Sequence, residues 1–109
     1  MAYDERLVSR IRRLLKGRKQ MTEREQFGGI GFLVRGNMAC GVLGEDLLVR
    51  VGPDAHQAAL ADHHARPFAL TGKPSRGWVL VGPPGLQTEA GLRRWVDLGL
   101  RFAQSLPPK

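Results

Sequence analysis

The chain has 109 residues, with 17 Lys and Arg against 10 Asp and Glu for a net charge of +7, and one cysteine. That length suits a single domain, residues 1–109, whose core needs no staples. One cysteine excludes an internal disulfide framework and fits a reducing compartment. No basic start leads into an apolar run, and no apolar stretch nears the roughly 18 residues of a membrane span. We therefore expect a soluble, cytoplasmic protein without membrane contact.

Residues 4–16, DERLVSRIRRLLK, put Leu7, Val8, Ile11, Leu14 and Leu15 on one stripe at helical spacing. Asp4 serves as N-cap and Gly17 as stop. The opposite face gathers Arg6, Arg10, Arg12, Arg13 and Lys16, with Glu5 as the main opposing charge. That face is a candidate contact for an acidic protein or for nucleic acid. The plainer alternative is a solvated helix face, the commoner fate of such a charge run.

From Thr22 to Val51 the period changes, and β-branched and aromatic runs alternate with glycines. This pattern predicts a three-stranded antiparallel meander over Phe27–Arg35, Met38–Leu43 and Leu47–Val51. Gly36-Asn37 and Gly44-Glu45 are the turn candidates, and glycine first in a two-residue loop suits a type II′ turn. Gly28-Gly29 reads as a bulge or kink where the first strand begins.

Cys40 takes its place from these turns. With Gly36-Asn37 as the loop it lies opposite Leu33 and shares a face with Met38 and Val42. A two-residue loop at Gly44-Glu45 adds Leu47, Val49 and Val51 to that face and makes it the core. A three-residue loop instead adds Leu48 and Arg50 beside Arg35, a more open face. Turn chemistry favours the first and charge placement the second.

Beyond Val51, GPDAHQAALADHHA reads as a helix with Pro53 in its first turn. RPFAL and GWVLV are two more strands joined by a TGKPSR loop, and GPPG at 82–85 is a firm break. Thr88 caps a last helix to about Gln104, with Leu92, Trp95, Val96, Gly99, Phe102, Ala103 and Leu106 at helical spacing. Leu98 and Leu100 widen that arc, so this helix should touch more than one neighbour. LPPK cannot continue it. The order is helix, three strands, helix, two strands, helix: an α+β layout with helices on one face of an antiparallel sheet.

Five phrases stand in a specific order and spacing: FGGIGFLV (27–34), GNMACGV (36–42), DLLVRVG (46–52), ARPF (65–68) and GKPSRGWVLV (72–81). Together they resemble the N-terminal domain of the TfoX/Sxy competence-regulator family, over nearly the whole chain. The positions that carry the resemblance are Phe27, Gly28, Gly29, Gly36, Asn37, Met38, Cys40, Gly41, Arg50, Val51, Gly52, Arg66, Pro67, Gly77 and Trp78. Gln26 stands where the family usually has methionine.

The resemblance implies a two-layer fold similar to the secretion-chaperone-like class, no established enzymatic activity, and a regulatory role through protein contacts. Full competence regulators add a C-terminal helical domain resembling helix-hairpin-helix modules and work with a cyclic-AMP receptor protein at promoters. With no such domain before Lys109, the expectation is a stand-alone N-terminal module, whose partner need not be the same.

The remaining residues point to no catalytic set, metal site or cofactor. His56 and His63 are too far apart along a helix to share a metal, and His63 and His64 suit a helix C-terminus. GKPSRG lacks the phosphate-loop pattern. A homodimer through a sheet edge or the broad last helix is one expected assembly. A small basic nucleic-acid-binding protein is a second reading of the chain, and a thiol enzyme or redox sensor at Cys40 a third.

Overall fold

A computed structural model describes residues 3–26, 28–69 and 74–109. Asp4 opens α1 (Glu5–Leu15): its carboxylate accepts the Arg6 and Leu7 amides at 2.9 and 3.4 Å, donors that a first helical turn leaves free. Leu7, Val8, Ile11 and Leu15 are buried on one stripe, as the periodicity requires. Gly17, at φ +86°, lets the chain leave the helix.

The strands are β1 (Met21–Gln26), β2 (Gly29–Val34), β3 (Asn37–Leu43), β4 (Asp46–Arg50), β5 (Ala65–Ala69) and β6 (Pro74–Val81). They form one sheet in the order β1-β2-β3-β4-β6-β5, antiparallel throughout. The sheet therefore has six strands where the sequence reading has five. The extra one, MTEREQ, shows no apolar alternation because it is an edge strand: Thr22, Glu23, Arg24 and Glu25 are exposed. Charges there suit an edge that must not pair further. The expected first strand begins two residues later, at Gly29, and Phe27 lies outside the described residues.

The first hairpin corrects the expected register. Val34 pairs with Asn37, so the loop is Arg35-Gly36, both at positive φ (+49° and +85°). That is the type I′ signature, not a type II′ turn at Gly36-Asn37. Further along, Phe32 pairs with Cys40 but Leu33 with Met38, which leaves Ala39 as the extra residue of a bulge. One inserted residue reverses the facing of every residue beyond it. Cys40 thus opposes Phe32 rather than Leu33, and Met38 lies on the other face of the sheet.

The second hairpin decides which face is the core. Leu43 pairs with Asp46 around a two-residue loop, with Gly44 at φ +59°. Cys40 and Val42 therefore join Val49 and Leu47 on the helix side. The core gathers these with Phe32, Val79 and Val81, Ile11 of α1, Ala59 of α2 (His56–Leu60), and Leu92, Trp95, Val96 and Leu100 of α3 (Glu89–Gln104). All three helices cover this one face. α3, capped by Thr88 at the Gly91 amide, lies across β2, β3 and β4, which explains its broad apolar arc.

α2 is shorter than the sequence suggests. Its His56 is buried and accepts the Gly77 amide at Nδ1, 3.0 Å away, tying α2 to β6. After α3 the tail returns along the first hairpin: Asn37, 2% exposed, donates to the Pro107 carbonyl at 2.9 Å, and the Lys109 amide to the Arg35 carbonyl at 2.9 Å. Among the described residues no helix is long and apolar enough to cross a membrane.

Candidate interaction surfaces

The basic face of α1 divides in the folded chain. Arg12 makes a bidentate pair with Glu23 of β1, two bonds of 2.8 Å. The bonds from Arg12 hold the Glu23 carboxyl below its ordinary range, against some desolvation. Arg10 reaches Glu89 and the Thr88 carbonyl at 3.4 and 3.5 Å. These two arginines therefore link α1 to β1 and to the start of α3. Arg6, Arg13 and Lys16 are exposed and make no ion pair among the described residues, so three of the five cations stay open to a partner.

Cys40 has no measurable exposure, and burial pushes its thiol up to about 12. A reactive cysteine needs access and a lowered pKa. Both conditions are reversed here.

The adjacent histidines form a compact local cluster. His63 and His64 rings lie 3.9 Å apart, and the ligand atoms of Asp62, His63 and His64 fall within 4.8 Å of one another. Asp62 accepts the His64 amide at 2.9 Å and the Arg94 guanidinium at 2.8 Å. The His64 amide first, and Arg94 after it, hold the Asp62 carboxyl below its ordinary range despite partial desolvation. These bonds account for the cluster as a tie between the end of α2 and α3. His56 stands apart, bonded to β6. Of GKPSRG, Pro74–Gly77 belongs to β6, while Gly72 and Lys73 lie outside the described residues.

The sheet face turned away from the helices is different in kind. Leu33 and Leu48 are buried at 3% and 7% exposure, yet neither belongs to the core under the helices. Register aligns Gly31 with Gly41, Gly41 with Leu48, Leu48 with Leu80, and Arg50 with Trp78 on this outer face. A cleft of about 230 Å³ opens there, walled by Met38, Leu43, Leu48, Phe68 and Trp78, with Ser75 at one side. The Phe68 and Trp78 rings are 6.5 Å apart, and the Arg50 guanidinium lies 5.2 Å over Trp78.

Five motif positions, Met38, Gly41, Arg50, Arg66 and Trp78, thus meet on one surface. The sequence reading set Phe68 and Trp78 in two strands and assigned neither a face. The missed signal was alternation in β6, where Trp78 and Leu80 interleave with the inward Val79 and Val81. Several other motif positions serve the fold: Gly36 and Asn37 at the first hairpin, Cys40 and Val51 in the core, Gly77 bonded to His56. Gly52 packs against the Phe102 ring.

Fold and surface together define a two-layer α+β module with one sheet face under helices and the other open. The chain belongs to the TfoX N-terminal domain family, whose model matches residues 13–103. No curated protein and no solved structure shows a significant match.

Proposed function

We propose that this chain is a non-enzymatic regulatory module that acts by protein contact, in the manner of the N-terminal domain of competence regulators. One observation carries the reading: an apolar cleft with two aromatic side chains opens on a sheet face that none of the described helices covers. Soluble domains rarely leave such surface open without a partner. Family membership supports the same reading, and the sealed thiol argues against chemistry at Cys40.

Affinity capture from the native cytoplasm, with and without nuclease, is the test. A defined protein retained after nuclease treatment is the expected result. Retention abolished by nuclease transfers the role to nucleic acid and to Arg6, Arg13 and Lys16. No specific retention in either arm overturns the reading.

A further inference from the structure

We infer that the outer sheet face receives an acidic protein segment carrying apolar anchor side chains; this rests on the reading of the chain as a protein-contact module. The floor of the cleft is bare backbone at Gly31 and Gly41, which face each other in register. A Cβ at Gly31 would lie 2.4 Å from the Met38 methyl, and one at Gly41 2.8 Å from the Ile30 carbonyl oxygen. Both contacts are too short, so the floor has no room for a side chain at either position. Among the described residues the walls are hydrocarbon and aromatic, with Ser75 as the one hydroxyl. At about 230 Å³ the space falls short of the roughly 300–1,000 Å³ of small-molecule sites. It suits a few anchor side chains of a docked segment.

Charge selects the partner. Arg24 pairs in register with Gly31, Arg50 covers Trp78 and Arg66 is aligned with Leu80. Among the described residues, the one carboxylate that register places on this face is Asp46, and Arg66 already holds it. An arginine rim around an apolar cleft complements a segment that interleaves Asp or Glu with apolar residues. A second copy placed face to face would oppose two arginine rims, a like-charge arrangement that costs affinity. A nucleic-acid base would need acceptors as well as donors for its edges, and among the described lining residues Ser75 is the one side chain that can accept.

The test is selection of a phage-displayed random dodecapeptide library on the intact chain, followed by anisotropy titration of the enriched peptides. The expected peptides are rich in Asp and Glu with Leu, Phe or Trp anchors, and their affinity falls with salt. Affinity should drop about tenfold in Met38→Glu and about threefold or more in Arg24→Glu. Met38 is half-buried at the cleft and Arg24 is exposed, so neither variant enters the core. Thermal melts check this, and Met38→Gln replaces Met38→Glu if the latter melts early.

No enrichment, enrichment of Lys- and Arg-rich peptides, or binding unchanged in both variants overturns the inference. So does oligothymidine binding this face more tightly than the peptides do. A native protein captured equally by wild type and by the variants removes this surface but leaves the protein-contact reading standing. Enriched peptides without any native capture do the reverse.

Discussion

Gly99 sits inside α3, where helix propensity alone says that alanine should be better. Replacing an interior helical glycine by alanine is worth about 0.5–1 kcal/mol of stabilisation through backbone entropy. The tertiary structure reverses that sign. A Cβ at Gly99 would lie 2.2 Å from the Ala39 carbonyl oxygen and 3.0 Å from its carbon. Both are backbone atoms of the bulged strand β3, so no rotamer change relieves the clash. α3 must instead retreat by roughly an ångström, which loosens its buried neighbours Val96, Leu100 and Ala103; overpacking of this kind costs about 1–3 kcal/mol.

Set against the propensity gain, Gly99→Ala should destabilise by up to about 2.5 kcal/mol net, with the middle of the two ranges near about 1 kcal/mol. For a chain of this size that lowers Tm by about 4–8 °C per kcal/mol. Urea titration and a thermal melt read both quantities. Ser9→Ala on the exposed side of α1 is the control, since propensity acts there without a neighbour; it should gain up to about 0.5 kcal/mol. A Gly99→Ala protein as stable as the wild type, or more so, would refute the close seating of α3 on β3.

Two further outcomes concern the titratable groups. With its thiol raised to about 12, Cys40 is ionised at pH 8 in about one molecule in ten thousand, and it is sealed besides. Ellman's reagent should therefore react only as urea unfolds the chain, and rapid stoichiometric labelling in native buffer would revive the thiol-sensor reading. Glu23 and Asp62 have folded-state pKa values below their ordinary 4.5 and 3.8. Their contribution is complete well above those values and is lost as pH falls below them toward the folded ones, so the urea midpoint should begin to drop below about pH 4.5. Because the His64 amide leads the effect on Asp62, Arg94→Gln should leave that carboxyl still titrating below 3.8 by NMR. A return to the ordinary value would assign the shift to Arg94.

The candidate surface was only partly legible in the sequence. Its residues stand out as motif positions, but their facing does not. Met38 and Cys40 are two apart, and a regular strand would send both to one side. The Ala39 bulge sends Cys40 into the core and Met38 to the cleft. Likewise, the cations of α1 are visible as a charged face, while the partners of Arg12 and Arg10 lie 11 and 79 residues away.

Local chemistry controls the features that the sequence determined by itself. Asp4 and Thr88 cap helices because their side chains bond amides within the next three residues. The apolar stripes of α1 and α3 arise from a 3.6-residue period, and the Gly44-Glu45 loop from the need for positive φ. Family phrases in order were enough to anticipate an α+β module. Only the tertiary structure decided the sixth strand, the first hairpin's register, and which face of the sheet stays open. Those depend on pairings between distant segments, and a single inserted residue reverses them without changing any local preference.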